Sequence, residues 1–173
     1  MTEPTRRRIL ELALAGHAAA IAEAQQHAHE VSKAGNADAK AASEGKLQSF
    51  TATEAADVSA LAALIIPSGS TPGAREAGAL YFIDRALTTF ERGQREAYRQ
   101  GLRMVEARRK ELFPNSTSVA DLAAGDQIRL ARAIEKTDFF EMLRSHTIMA
   151  FLGRPEYGGN MNQSGWRLIG FKE

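Results

Sequence analysis

Four histidines are the first residues to weigh for chemistry, because imidazole is the side chain whose ordinary pKa lies nearest neutral: His17, His27, His29 and His146. His146 could serve as a general acid or base, since it falls on the apolar side of a helical pattern with Glu141 and Arg144 close in sequence. No serine or cysteine nucleophile stands at a known motif spacing from it, and no metal-ligating partner follows at i+4. The expected role is therefore a core or interface histidine whose ring hydrogen-bonds to the backbone. His27 and His29, with His17 and Glu30 nearby, offer good metal ligands. On a helix, residues two apart point about 200° apart, so these two cannot share one ion without unwinding, and they are expected to face solvent.

Other candidates give way in the same manner. The loop Ser68–Gly73, reading SGSTPG, precedes a helical pattern and could cradle a phosphate, but it lacks the lysine of a P-loop and the strand that precedes a dinucleotide site. A tight helix–helix connection is expected there. Asp84 and Arg85 read as a helix-surface pair that could meet a partner. Arg103, Arg108, Arg109 and Lys110 are interleaved with Glu106 and Glu111, which is the pattern of a solvated helix face. Absence of cysteine removes disulfides, thiolate nucleophiles, cysteine-ligated zinc, iron–sulfur clusters and covalent haem attachment from this chain. With 22 Lys and Arg against 21 Asp and Glu, no strong field draws nucleic acid or anionic lipid. At 173 residues one domain with an extension is expected, too short for a dehydrogenase holding its own dinucleotide and substrate domains.

The elements that must position these groups read as helices throughout. Residues 1–31 open with Arg6, Arg7 and Arg8 and continue into an alanine-rich apolar stretch broken by Glu11, Gly16 and His17. They suit either a degenerate twin-arginine export signal, which would send the protein to the periplasm, or an uncleaved surface helix, which would leave it in the cytoplasm. Residues 32–49 are small and polar and read as a linker. From residue 50 the spacing predicts an amphipathic helix with Thr51 and Glu54 as its capping box and Val58, Leu61, Ala62 and Ile65 on one face, ended by Pro67. A second helix carries Ala77, Leu80, Tyr81, Ile83 and Leu87. A third spans about 94–112, with Tyr98, Leu102, Val105 and Leu112 on its apolar side. Ser118 and Asp121 predict a short helix containing Leu122; Asp126 predicts a longer one with Ile128, Leu130 and Ile134; Asp138 and Glu141 cap the last, which places Phe139, Leu143, His146 and Met149 on one side. No strand pattern occurs. The expectation is an all-α bundle of about five or six helices with an irregular C-terminal tail.

That tail, from about residue 153, contains Gly153, Pro155, Gly158, Gly159, Gly165 and Gly170 among Phe151, Tyr157, Met161, Trp166, Leu168, Ile169 and Phe171. Glycines deny it a long helix, and its large apolar groups deny it a place in water. The run HTIMAFLGRPEYGGNMNQSGWRLIGF resembles the C-terminal signature of the gluconate 2-dehydrogenase subunit 3 family, and IIPSGSTPGAREAGALYFIDRAL, residues 65–87, is similar to a second block of that family. Lys172 and Glu173 stand where the family usually has proline and glycine.

The resemblance implies a non-catalytic small subunit that binds, stabilises and helps export an FAD-dependent sugar or polyol dehydrogenase of the glucose–methanol–choline (GMC) type, including glucoside 3-dehydrogenase complexes. FAD would lie in that partner, and haem c, in some complexes, in a third cytochrome subunit; this chain would hold no cofactor or metal. Partner-binding residues are expected at Pro155, Tyr157, Gly158, Gly159, Asn160, Trp166, Ile169 and Phe171, because aromatic groups with a polar edge and close-approaching glycines suit an interface. The alternative is a free-standing small helical enzyme using His146 as its acid or base.

Overall fold

A computed structural model describes residues 47–172. The N-terminal helix or export signal expected at 1–31, with His17, His27 and His29, lies outside the described residues, as does the linker up to residue 46. The described chain is all-α: α1 Ala52–Ile65, α2 Ala79–Thr88, α3 Arg95–Leu112, α4 Ala124–Ile134, α5 Asp138–Leu152 and α6 Ser164–Ile169. Three 3-10 turns, at Arg92–Gln94, Pro155–Tyr157 and Met161–Gln163, complete it, and no strand occurs among the described residues.

Helix α1 is the centre. Thr51 and Glu54 form the expected capping box, the Thr51 N–H donating to Glu54 Oε2 at 2.8 Å and the Glu54 N–H to Thr51 Oγ1 at 3.3 Å. The expected amphipathic stripe is exceeded, because residues 58–63 are buried without interruption. A helix apolar all round belongs inside, and the small side chains of Ala60, Ala62 and Ala63 let α2, α4 and α5 close around it. Leu61, Ile83, Leu87, Leu130, Ile134 and Leu143 make the core that results.

Two polar anchors depart from the sequence reading. Asp84 is 5 % exposed, not a surface residue, and its carboxylate accepts the backbone N–H groups of Gln48 at 3.0 Å and Ser49 at 2.7 Å. A chain entering a core needs acceptors for its amides, and this one draws Leu47–Ser49, assigned to the linker, into the folded body with Leu47 buried. Arg109 is likewise buried, unlike Arg103, Arg108 and Lys110 around it. Its Nη1 donates to the carbonyl and the hydroxyl of Ser116, which fixes the turn after α3.

The short helix expected around Leu122 is a turn instead. Ser118 Oγ accepts from the Asp121 N–H at 3.1 Å, the Val119 N–H donates to Asp57 Oδ1 at 2.7 Å, and Gln127 Nε2 donates to the Val119 carbonyl at 3.1 Å. Side chains from α1 and α4 have taken the backbone partners a helix would have used. Thr137, not Asp138, caps α5, with its Oγ1 accepting from the Phe140 N–H at 3.2 Å.

Candidate functional site

The C-terminal tail folds because α5 ends in carbonyls that need donors. Ala150 O accepts from the Asn160 N–H at 2.6 Å, Leu152 O from Trp166 Nε1 at 2.7 Å, and Gly153 O from Asn160 Nδ2 at 2.9 Å. Asn160 Oδ1 accepts in turn from the Gly165 N–H at 2.9 Å, and its own carbonyl from Gln163 N–H at 2.8 Å. Asn160 is fully buried with φ 46°, a left-handed conformation that asparagine tolerates better than most residues. Gly159 and Gly165 lie so close to Ala150 and Phe151 that a Cβ on either would enter the contact shell of those carbonyl oxygens. Three of the expected partner-binding residues, Gly159, Asn160 and Trp166, are therefore spent on this chain's own fold. Asn160 and Trp166 donate to the end of α5, Gly159 packs against Ala150, and Trp166 is only 7 % exposed.

The other expected residues point outward. Pro155, Tyr157, Ile169 and Phe171 are exposed and Gly158 partly so. Phe171 packs edge-on against Trp166 with centroids 5.0 Å apart, so the exposed end of α6 rests on the same support. The tail that carries these groups consists of the short helix α6 and two 3-10 turns, joined through left-handed residues at Gly158, Asn160, Asn162, Gln163 and Gly170.

Next to them lies an apolar groove of about 620 Å³ between α5, the turn after α2 and the Pro155–Tyr157 turn. Ile148, Met149 and Leu152 form its floor, and Phe82, Phe90 and Tyr157 its wall. Phe90 stands edge-on between Phe82 and Tyr157, at centroid distances of 6.1 and 6.0 Å. Arg85 Nη1 holds the Tyr157 turn by donating to the Glu156 carbonyl at 2.9 Å. Phe90 is 55 % exposed and Tyr157 45 %, so the groove leaves large apolar side chains open to solvent.

Sequence reading missed the groove. At 100° per residue, Ile148 and Leu152 fall on the side of α5 opposite Phe139, Leu143, His146 and Ala150, with Met149 at the edge between, and Met149, expected inside, is half-exposed. The available signal was the unbroken apolar run TIMAFL, too wide for a one-sided helix. Phe90, set between Thr89 and Glu91 where two helical patterns part, was the other.

His146 is buried. Its Nδ1 lies 2.8 Å from the Tyr98 hydroxyl, not at the backbone group expected, and the two rings are nearly parallel with centroids 5.5 Å apart. Burial lowers the His146 pKa, against a smaller opposing pull from Glu91, and burial pushes the Tyr98 phenol up. Both are therefore neutral at neutral pH, and neither lines the groove. Away from it, a cavity of about 290 Å³ between α1 and α3 holds Asp57, whose pKa burial raises to about 6 although the Val119 and Ala120 N–H groups oppose the rise. Among the described residues no three His, Asp or Glu side chains gather as a metal site would require, and no helix is long and apolar enough to cross a membrane.

Fold and site together define a small helical protein organised around an uncovered apolar face. The family model described as Gluconate 2-dehydrogenase subunit 3 matches residues 52–172, and the chain belongs to that family, whose members are subunits of a dehydrogenase complex. Neither a curated protein nor a solved structure matches the chain.

Proposed function

We propose that the chain is the non-catalytic small subunit of an FAD-dependent GMC-type sugar or polyol dehydrogenase, and that it binds and stabilises the larger catalytic subunit. The observation that carries this reading is the apolar groove at the end of α5, whose terminal carbonyls are held by the buried knot of Asn160 and Trp166, with further exposed apolar groups at Ile169 and Phe171. A surface of large aromatic and aliphatic groups held on a fixed backbone suits a covering partner. Family membership supports a dehydrogenase subunit as the covering partner. FAD and the substrate site belong to that partner in this reading, haem c to a third subunit where one is present, and export through the Arg6–Arg8 segment would carry the assembled pair to the periplasm. His146 supports the fold through Tyr98.

Co-expression with its flavoprotein tests the reading directly. The pair is expected to elute together in equal stoichiometry on gel filtration at micromolar concentration, with the yellow flavin spectrum confined to preparations containing the partner. Separate elution of the two species would overturn it.

A further inference from the structure

We infer that the element received by the groove is an amphipathic helix of the flavoprotein, apolar on its inward face and carrying a carboxylate that meets Arg154. The inference rests on the proposed subunit role and specifies how that role is performed.

Backbone chemistry selects the helix. The groove offers apolar side chains from α5, the turn after α2 and the Tyr157 turn, and no strand edge exists among the described residues to which an extended segment could add. An extended occupant would bury N–H and C=O groups without partners, at a cost of a few kcal/mol each. A helix satisfies its own, so side chains alone can be lodged against this surface. The floor residues Ile148, Met149 and Leu152 span one turn, about 6 Å of rise, and the Phe82, Phe90 and Tyr157 rings, packed edge-on in a row, line one side of it, so the groove is elongated along that row. That shape takes two or three apolar side chains spaced i, i+3 or i+4, and i+7.

Charge selects the flank. Arg154 is the one charged residue in the lining. Its pairing with Glu156, 3.8 Å apart with both side chains about two-thirds exposed, is of the kind that contributes little. A guanidinium at the rim of an apolar trough presents a planar fork of donors suited to a carboxylate, and the approach of an apolar helix would desolvate and strengthen that contact.

A photo-reactive benzophenone amino acid placed at Tyr157, and separately at Phe90 and at Ile128, an exposed apolar residue outside the lining, tests this in the full-length chain co-expressed with its flavoprotein. Crosslinks from positions 157 and 90 are expected on flavoprotein residues three, four or seven apart, and none from 128. Arg154→Glu is expected to weaken the complex at least tenfold, while Arg154→Lys stays within about threefold. Crosslinks to residues two apart, to a second copy of this chain or to lipid would overturn the inference, as would an unchanged affinity for Arg154→Glu. A complex that forms without groove crosslinks defeats the helix-in-groove inference and leaves the subunit role standing; absence of any complex defeats both.

Discussion

Two parts of one tail, both rich in large side chains and glycine, have opposite fates. Around Asn160 and Trp166 the Asn160 N–H, its Nδ2 and Trp166 Nε1 are aimed at the end of α5, and both residues are buried. A few positions away, Tyr157, Ile169 and Phe171 are held out on turns and a short helix whose backbone is already satisfied. The difference lies in what α5 lacks. Its terminal carbonyls need donors, so the nearest side chains able to reach them are drawn in, and those left over remain available to another surface. Aromatic character alone does not separate a core residue from an interface residue. Hydrogen-bond demand does.

The contrast is broken most severely by Trp166→Ala. Losing a buried indole and its bond to Leu152 is expected to destabilise the free chain by about 4 kcal/mol, read by chemical denaturation; unchanged stability would place Trp166 in the interface after all. Asn160→Ala comes next at about 3 kcal/mol, from two buried partners left without bonds and a left-handed backbone that alanine resists. Asn160→Gly, which relieves only the backbone, is expected to recover a minor part of that loss.

Asp57 sharpens the comparison from a third region. Its folded pKa of about 6 exceeds its ordinary 3.8, so the folded state binds more protons between those values. The stability it contributes is complete below about pH 4 and is lost as pH rises through 6, a decline of about 3 kcal/mol. Denaturation of Asp57→Asn across pH 4–8 should flatten that decline, because the amide oxygen still accepts from Val119; an unaltered slope would assign it to other groups. Mutations at the Asn160 knot should leave the slope as it is.

On the exposed side, Tyr157→Ala is expected to change the free chain's stability by less than about 1 kcal/mol and to weaken its association with the flavoprotein roughly tenfold, about 1.4 kcal/mol. Titration of labelled partner at fixed salt checks this. An equal fall in stability would merge the two regions.

Helices were legible where local rules suffice. Thr51 with Glu54 announces α1, and Pro67, Pro114 and the Gly153–Pro155 break mark ends that the structure keeps close by. The features that stayed hidden depend on contacts distant in sequence. Asp84 looks like any helix-surface carboxylate until Gln48 and Ser49 arrive, and the turn at 118–122 looks helical until Asp57 and Gln127 take its backbone. Tyr157, which lines the groove, could be picked out from composition as an exposed aromatic group with a polar edge. Ile148, Met149, Leu152 and Phe90 left only the apolar run at the end of α5 and a lone aromatic residue between two helical patterns as signals, since a groove drawn from α5 and two turns has no period in the chain.

Helix α5 meets this chain's core on one side and the groove on the other, with its end gripped by Asn160 and Trp166 so that it cannot turn on its axis. In evolutionary terms the stretch His146–Leu152 answers two selective demands at once. A larger residue on its inner side disturbs the fold and, in the proposed subunit role, a polar one on its outer side disturbs the assembly, so few substitutions there are expected to be neutral. The solvated side of α3, where Glu106 and Lys110 pair in water, answers neither demand and is free to drift.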